Sequence, residues 1–187
     1  MFRRKRRSLD CGRRFKIAAD VTSTVMRYRP LPAKARQGRP FVGSAGRLFD
    51  RALQEAGIDR ADVYVTNAVK YFKFEERAKR RIHKKPSGAE SKACRPWLEA
   101  ELTAIHPRIL VCLGATAAQS VFGTEYRVTK ERGQFVKHPW APQATSTVHL
   151  SAILRAPDEQ RHIEYRRFVE DLEKVRAANE SGRGARR

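Results

Sequence analysis

The sequence predicts an α/β fold of three layers, in which helices cover both faces of a central parallel sheet. From residue 38 onward, short apolar strand patterns alternate with amphipathic helix patterns. Residues 108–113 (RILVCL) form a continuous apolar run, which is typical of a strand buried on both faces of a parallel sheet. Because parallel strands point the same way, we expect their carboxyl ends to meet at one edge, where sites in such sheets usually lie.

The first half of the chain contains two strand patterns and one helix pattern. Residues 21–28 (VTSTVMRY) are rich in β-branched side chains and stop before a proline-rich stretch, which favours a strand. A glycine-punctuated loop at 38–46 (GRPFVGSAG) leads into a helix that ends at Gly57. Its apolar face consists of Leu48, Phe49, Leu53 and Ala56. Residues 62–67 (DVYVTN) predict a short buried strand that ends in a polar residue.

The second half begins with a helix-start signal. Ser87 and Glu90 have the spacing of a capping box, and Pro96 is expected to kink or restart the helix that follows. The apolar stripe of this helix is Cys94, Leu98, Leu102 and Ile105. Further predicted elements are the buried strand at 108–113, a short helix to residue 122, a strand at 145–149 and a helix at 157–178.

The predicted domain organisation has three parts. Residues 1–36 are an Arg-rich segment unlike the rest in composition, residues 37–178 form the α/β domain, and residues 179–187 form a disordered tail. A chain of 187 residues is long enough for one domain with a sizeable core.

The charge predicts a polyanionic partner. Forty Lys and Arg residues against twenty Asp and Glu residues give a net charge of +20. The excess lies in two patches, with twelve basic and two acidic residues in 1–36 and ten basic and three acidic residues in 70–95. Between these patches and beyond them the charge is nearly balanced, so the patches mark where a nucleic acid would bind.

Other classes of protein are disfavoured. The longest near-apolar run, 109–118, is too short to span a bilayer, and no apolar segment follows the basic N-terminus as in a secretory signal. The three cysteines are an odd number with no close pair, which argues against a disulfide framework. We therefore expect a cytoplasmic protein that does not associate with membranes.

One histidine lies inside the second basic patch. The stretch 79–86 (KRRIHKKP) has no apolar period and ends at a proline, so it predicts an exposed loop that attracts phosphate. His83 is the only residue in it that titrates near neutrality, and it is therefore a candidate nucleophile or acid–base group. The alternative is a solvated basic loop that holds RNA or DNA, with His83 incidental.

The predicted topology places several candidate residues at one rim. Asn67 and His149 each follow a strand, the His83 loop comes just after the first of these strands, and Phe41 lies in a loop before a helix. An aromatic face, an amide and two histidines beside cations suit a pocket for a flipped base. Each residue also has a structural alternative. Phe41 would be a core residue, Asn67 a turn or cap residue, and His149 a partner for backbone groups.

At this point the motifs resemble a known family. The stretches that carry the resemblance are GRPFVGSAGRLFDRAL (38–53), VYVTNAVKYFKF (63–74), KRRIHKKP (79–86), ACRPWLEAEL (93–102), CLGATAAQ (112–119) and TVHLSAILR (147–155). In this order they are similar to the iron–sulfur uracil-DNA glycosylases, and most similar to the UdgX-type branch, which stays covalently attached to uracil-DNA. The resemblance covers about residues 38–176, and the histidine loop is specific to that branch.

The resemblance implies roles for individual residues. His83 would capture the sugar carbon after the bond to uracil breaks, Phe41 would stack on the extruded uracil, and Asn67 would bind its edge. His149 would hydrogen-bond a uracil oxygen and stabilise the leaving anion. The implied DNA contacts are Lys79, Arg80, Arg81, Lys84, Lys85 and Ser151. The resemblance also implies a monomer that acts on uracil in single-stranded DNA.

The chain departs from the family pattern mainly before residue 38. Residues 28–36 (YRPLPAKAR) stand where the family has Gly-Glu-Gln-Pro-Gly-Asp, and Leu150 replaces the proline of the family's His-Pro-Ser. The family implies a 4Fe-4S cluster, but only Cys94 matches a ligand position, because Tyr71 occupies another and no N-terminal cysteine pair is present. Cys11 stands alone, and Cys112 lies in a buried strand and is expected in the core. We therefore expect residues 1–36 to replace the family's first strand and cluster-binding region, through a shifted reading frame or a misassigned start.

Two classes of function follow from these observations. The first is a DNA repair enzyme that excises uracil and traps the abasic sugar through His83. The second is a non-catalytic relative that binds nucleic acid through its basic surface. Formation of a covalent adduct with uracil-DNA separates the two.

Overall fold

In the computed structural model, side chains are described for residues 44–69 and 86–181, and the backbone alone for 24–28, 74–77, 80–83 and 182–184. The strands are β1 Thr24–Tyr28, β2 Val63–Asn67, β3 Phe74–Arg77, β4 Arg80–His83, β5 Ile109–Leu113, β6 Val136–His138 and β7 Ala141–Thr147. The helices are α1 Ser44–Glu55, α2 Gly88–Ile105, α3 Ala115–Phe122, α4 Val128–Glu131, α5 Leu150–Arg155 and α6 Asp158–Gly184, and a 3₁₀ helix spans Arg60–Asp62.

Five of the strands form one sheet in the order β2-β1-β5-β7-β6. Strand β1 is antiparallel to both of its neighbours, β5 and β7 are parallel, and β6 is antiparallel to β7. Strands β2, β5 and β7 therefore run in the same direction. The α/β class is confirmed, but the sheet is mixed rather than wholly parallel. Strands β6 and β7 are separated by only two residues, a connection that permits an antiparallel pair and no crossover.

The core lies in two layers, one on each face of this sheet. Along β5, Ile109, Val111 and Leu113 belong to one layer and Leu110 and Cys112 to the other, as the two-residue period of a strand requires. The first layer is completed by α1, α5 and α6, and the second by α2, α3 and α4. This arrangement confirms the three-layer prediction and explains why β5 is apolar on both faces.

The predicted helix before Gly57 is confirmed as α1. Phe49 and Leu53 are fully buried on its inner face, and Leu48 is partly buried against the same layer. Gly57 has a φ of +70°, a left-handed conformation that glycine adopts without a steric penalty. The chain therefore turns at this residue, two positions after α1 ends at Glu55, and continues toward β2.

Pro96 does not interrupt α2, which continues from Gly88 to Ile105. The prediction of a restart at this residue is wrong. Pro96 is exposed, whereas Cys94 and Leu98 on either side of it are buried. Burial of these two side chains compensates for the hydrogen bond that a proline cannot donate. No helix among the described residues is long and apolar enough to cross a membrane.

Three boundaries differ from the predictions. The stretch 79–86, expected to be a loop, contains β4, which pairs in antiparallel fashion with β3. Two residues separate these strands, the shortest common hairpin connection. Strand β7 begins at Ala141 and ends at Thr147, so His149 lies beyond it. Helix α6 continues to Gly184, so residues 179–184, expected in a disordered tail, are helical. Asn179 is only 2% exposed there, which shows that this part of α6 packs against the domain.

The capping box of α2 is formed as predicted, and it gives a test of helix stability. The Ser87 hydroxyl accepts a hydrogen bond from the Glu90 amide at 3.3 Å, and the Glu90 carboxylate accepts one from the Ser87 amide at 2.7 Å. We expect Ser87→Ala to lower the free energy of unfolding by about 1 kcal/mol, because an amide at the helix start loses its acceptor. Urea titration of Ser87→Ala and of Ser91→Ala, a matched change inside the helix, measures this effect. Equal losses in the two variants would contradict it.

Candidate functional site

The carboxyl ends of β2, β5 and β7 meet at one edge of the sheet. Asn67 is paired with Thr24, Thr24 with Leu113, and Leu113 with Thr147, so these residues form a row across four strands. Three strand spacings separate the Cα atoms of Asn67 and Thr147 by roughly 14 Å. Helix α3 begins at the same edge, and its positive end favours an anion there. Asn67 and His149 therefore lie at the same rim, as predicted.

His149 holds the start of α5. Its Nδ1 atom accepts a hydrogen bond from the Ser151 amide at 3.1 Å and lies 2.8 Å from the Ser151 hydroxyl oxygen. His149 therefore serves a backbone group through Nδ1, as its structural alternative expects, while its role toward a base stays a prediction. Because Nδ1 acts as an acceptor, the neutral ring carries its proton on Nε2, which becomes a donor. The side chain is 8% exposed, so this donor has a fixed direction in a partly dry environment.

Gly114 allows His149 to approach the end of β5. Its φ of +88° and ψ of 167° belong to a region that only glycine occupies readily. A Cβ atom at this position would lie 2.8 Å from the Cβ atom of His149. The Gly114 amide donates to the Thr147 carbonyl at 2.8 Å, which joins the ends of β5 and β7. Gly114 is therefore required both by the backbone turn and by the space that His149 fills.

Asn67 presents an amide oxygen at the end of β2. The residue is partly buried, and its Oδ1 atom is buried and accepts no hydrogen bond from the residues that the structure describes. A buried amide oxygen without a donor is unfavourable unless a ligand supplies one. The alternative role of Asn67 as a cap is not seen among the described contacts.

Glu101, which the sequence did not predict as a site residue, anchors β2 up to Thr66, the residue before Asn67. Its carboxylate accepts hydrogen bonds from the Tyr64 hydroxyl and, at 3.0 Å, from the Thr66 hydroxyl. Tyr64 and Thr66 alternate along β2 and therefore point to the same face of the sheet. Two hydroxyl-bearing residues on one face of a strand are the pattern from which a polar partner on the helix that covers this face could have been predicted.

A second group that the sequence analysis missed supports the end of β7. The buried Asp171 carboxylate accepts a hydrogen bond from the Thr147 hydroxyl at 2.6 Å and pairs with Arg132 at 2.9 Å. Arg132 also pairs with Glu164 at 3.0 Å. This group joins α6 to the last residue of β7, two residues before His149, so it fixes the direction in which the chain enters α5.

The remaining predicted residues are described in part or not at all. Phe41, Lys79, Lys84 and Lys85 lie outside the described residues, as do Cys11 and Tyr71. Arg80, Arg81 and His83 belong to β4, for which the backbone alone is described, and His83 is paired with Phe74. Ser151 is at the start of α5, where its hydroxyl lies beside the His149 ring. The roles of these residues toward DNA therefore stay predictions.

The two described cysteines, Cys94 and Cys112, do not form a cluster site. The chain has three, whereas a 4Fe-4S cluster is normally held by four thiolates. Cys112 is fully buried in β5, as predicted, and burial raises the pKa of its thiol, so it resists becoming the thiolate that binds metal. Among the described residues, no three His, Cys, Asp or Glu residues are grouped so that they could hold a metal ion. The described donors therefore do not fit the cluster that the resemblance implies.

Comparison with known proteins gives consistent matches. Residues 28–173 match the model of the uracil DNA glycosylase superfamily. The chain is 38% identical over 144 residues to the type-4 uracil-DNA glycosylase of Thermotoga maritima, covering 76% of this chain and 69% of that protein. It is 30% identical over 151 residues to the type-4 uracil-DNA glycosylase of Sulfurisphaera tokodaii, covering 75% of this chain and 62% of that protein.

Proposed function

Since the chain belongs to the uracil DNA glycosylase superfamily, we propose that it hydrolyses the N-glycosyl bond between uracil and deoxyribose in DNA. The observation that carries this proposal is the placement of Asn67 and His149 at one edge of the sheet. Uracil offers an imide N–H flanked by two carbonyl oxygens. The buried Asn67 Oδ1 is an acceptor for that N–H, and His149 Nε2 is a donor for a carbonyl oxygen.

The same two residues favour bond cleavage. When the N-glycosyl bond breaks, its electron pair stays on uracil, and the sugar becomes a cation that water then attacks. A donor to the uracil oxygen stabilises the departing anion, and the positive end of α3 at the same edge adds to this effect. Because His149 is held by Ser151, the donor is in position before the reaction begins.

The substrate is uracil in DNA, and we expect the single-stranded form to be preferred. A base in single-stranded DNA needs no unpairing before it enters the pocket. The net charge of +20 supports binding to the phosphate backbone. The predicted DNA contacts and the stacking role of Phe41 belong to this proposal, as does action by a monomer.

A finer proposal concerns the fate of the sugar cation. In it, an imidazole nitrogen of His83 forms a bond to the sugar carbon in place of water, and uracil leaves with the electron pair of the broken bond. The position of His83 at the end of β4, beside the basic residues Arg80 and Arg81, supports this proposal. Membership of the UdgX-type branch is part of this finer proposal. No step in either proposal uses an iron–sulfur cluster.

The test of excision uses a short single-stranded oligonucleotide with one deoxyuridine and a matched oligonucleotide with thymidine. We expect free uracil from the first and no free base from the second, measured by chromatography. Salt-sensitive binding to both oligonucleotides without release of uracil would contradict the proposal. It would support a non-catalytic nucleic-acid-binding relative.

The test of trapping uses the same reaction after denaturation. We expect a protein–DNA adduct that survives denaturing electrophoresis and is reduced at least about tenfold in His83→Ala, because the nucleophile has been removed. His162→Ala is the matched control, since His162 is an exposed histidine on α6. Uracil release without an adduct in the wild type would show excision with water as the nucleophile and would overturn the trapping proposal alone.

A further inference from the structure

A cavity lies at the opposite edge of the sheet from Asn67 and His149. Its volume is about 360 Å³, which is within the range of small-molecule sites. Its walls come from the amino-terminal ends of β5 and β7, from β6 and from α6. Ile109 lines it at one end of β5, and four residue steps of roughly 3.3 Å along that strand separate Ile109 from Leu113 at the other edge. The cavity is therefore distinct from the proposed uracil pocket.

A buried acceptor is present in this cavity. Asn179 lines it and is 2% exposed, and its Oδ1 atom accepts no hydrogen bond from the part of the chain that the structure describes. The backbone carbonyl of Asn179 is satisfied, because it accepts a hydrogen bond from Arg108 at 3.1 Å. The side-chain oxygen is therefore an acceptor that the described residues leave without a donor, on a residue that lines the cavity.

The lining also favours a ligand that has negative charge and an apolar part. Arg108 and Lys137 contribute two cations, and none of the lining residues is acidic. Ile109 and Phe135 supply apolar wall, and Gln143 adds a second amide. Inorganic phosphate would use the cations but would leave the apolar wall and the Asn179 oxygen unused. A nucleoside would use the wall and the amides but not the cations.

From this combination we infer that the cavity binds a nucleotide unit, with its base against the apolar wall and amides and its phosphate near Arg108 and Lys137. The unit is either a free mononucleotide or one nucleotide of a DNA strand that continues around the domain. Both have the same chemistry, so the wall, the acceptor and the cations support them equally.

The experiment measures binding by calorimetry at low salt, with thymidine 5′-monophosphate, thymidine and inorganic phosphate as separate probes. We expect the monophosphate to bind at least about fivefold more tightly than either fragment, because only it engages both halves of the cavity. Lys137→Glu should weaken its binding at least about fivefold through charge reversal. Lys130→Glu, a matched reversal of an exposed lysine on α4, should leave binding unchanged.

Asn179→Leu tests the acceptor, and we expect it to weaken binding of the monophosphate about tenfold if the variant keeps the wild-type circular dichroism. If this variant does not fold, the comparison of Lys137→Glu with Lys130→Glu tests the inference without it. A thymidine tetranucleotide that binds more tightly than the monophosphate, and is weakened by Lys137→Glu, supports a DNA strand as the source. Equal affinities support a free nucleotide. No measurable binding of the monophosphate, equal effects of the two lysine reversals, or phosphate binding as tightly as the monophosphate would overturn the inference.

Discussion

Gly114→Ala should reduce uracil release at least about 100-fold, because the added methyl group forces His149 away from its position. The Cβ atom would lie 2.8 Å from the Cβ atom of His149, closer than two carbon atoms can approach. The backbone at φ +88° adds a strain of about 1–3 kcal/mol for any residue with a side chain. We therefore also expect a lower free energy of unfolding. Uracil release and urea titration of the purified variant measure the two effects.

Gly123→Ala tests whether the loss of activity in Gly114→Ala comes from the contact with His149 or from backbone strain. Gly123 has a φ of +107° and a ψ of 163°, close to the values of Gly114, and it lies at the other end of α3. A Cβ atom there meets no atom within 4 Å. The free energy of unfolding of this variant should also fall by about 1–3 kcal/mol, while uracil release stays near the wild-type rate. If both variants lose activity equally, the displacement of His149 is not the cause.

Asp171→Leu should lower the free energy of unfolding by about 1–3 kcal/mol, because Thr147 loses its acceptor and the partly buried Arg132 keeps only Glu164 as a carboxylate partner. The Asp171 carboxylate pairs with Arg132 at 2.9 Å and accepts from Thr147 at 2.6 Å, so both partners lose it together. Uracil release should fall as well, since Thr147 is two residues before His149 in the chain. Thermal unfolding and uracil release both measure the outcome.

Two further variants test this reasoning about Asp171. Glu170→Leu changes the neighbouring, exposed acid on α6 and should have little effect on stability. Arg132→Met combined with Asp171→Leu removes both charges and should recover at least part of the loss, because no unpaired charge is left inside. A double variant that is less stable than the sum of the single changes would contradict a coupled pair.

Much of the fold was predictable because apolar periodicity is a local property. The all-apolar run in β5 and the spaced side chains of α1 indicated their burial without knowledge of any partner. The direction of the strands followed from the alternation of elements, and this placed Asn67 and His149 at one edge. The direction of β1 was not predictable. The residues of a strand do not indicate which strands will lie on either side of it, or whether those strands run parallel or antiparallel to it.

The residues that support the site were harder to predict. Glu101 and Asp171 are acids, which are usually exposed. No residue near them in the sequence indicates that they accept hydrogen bonds from the hydroxyls of Thr66 and Thr147. The chain separation is 35 residues for Thr66 and Glu101 and 24 residues for Thr147 and Asp171. His149 was predicted as a strand end because its role as a helix cap depends on α5, a helix too short for a periodic signal.

The edge strand β6 affects whether copies of the protein associate in concentrated solution. It is three residues long, its register with β7 is irregular between Val136 and His138, and Lys137 lies exposed between them. A short, bulged strand with a central charge is a poor template for the backbone of another molecule. Copies of this chain are therefore not expected to extend their sheets into one another along this side, even though Val136 is 45% exposed there.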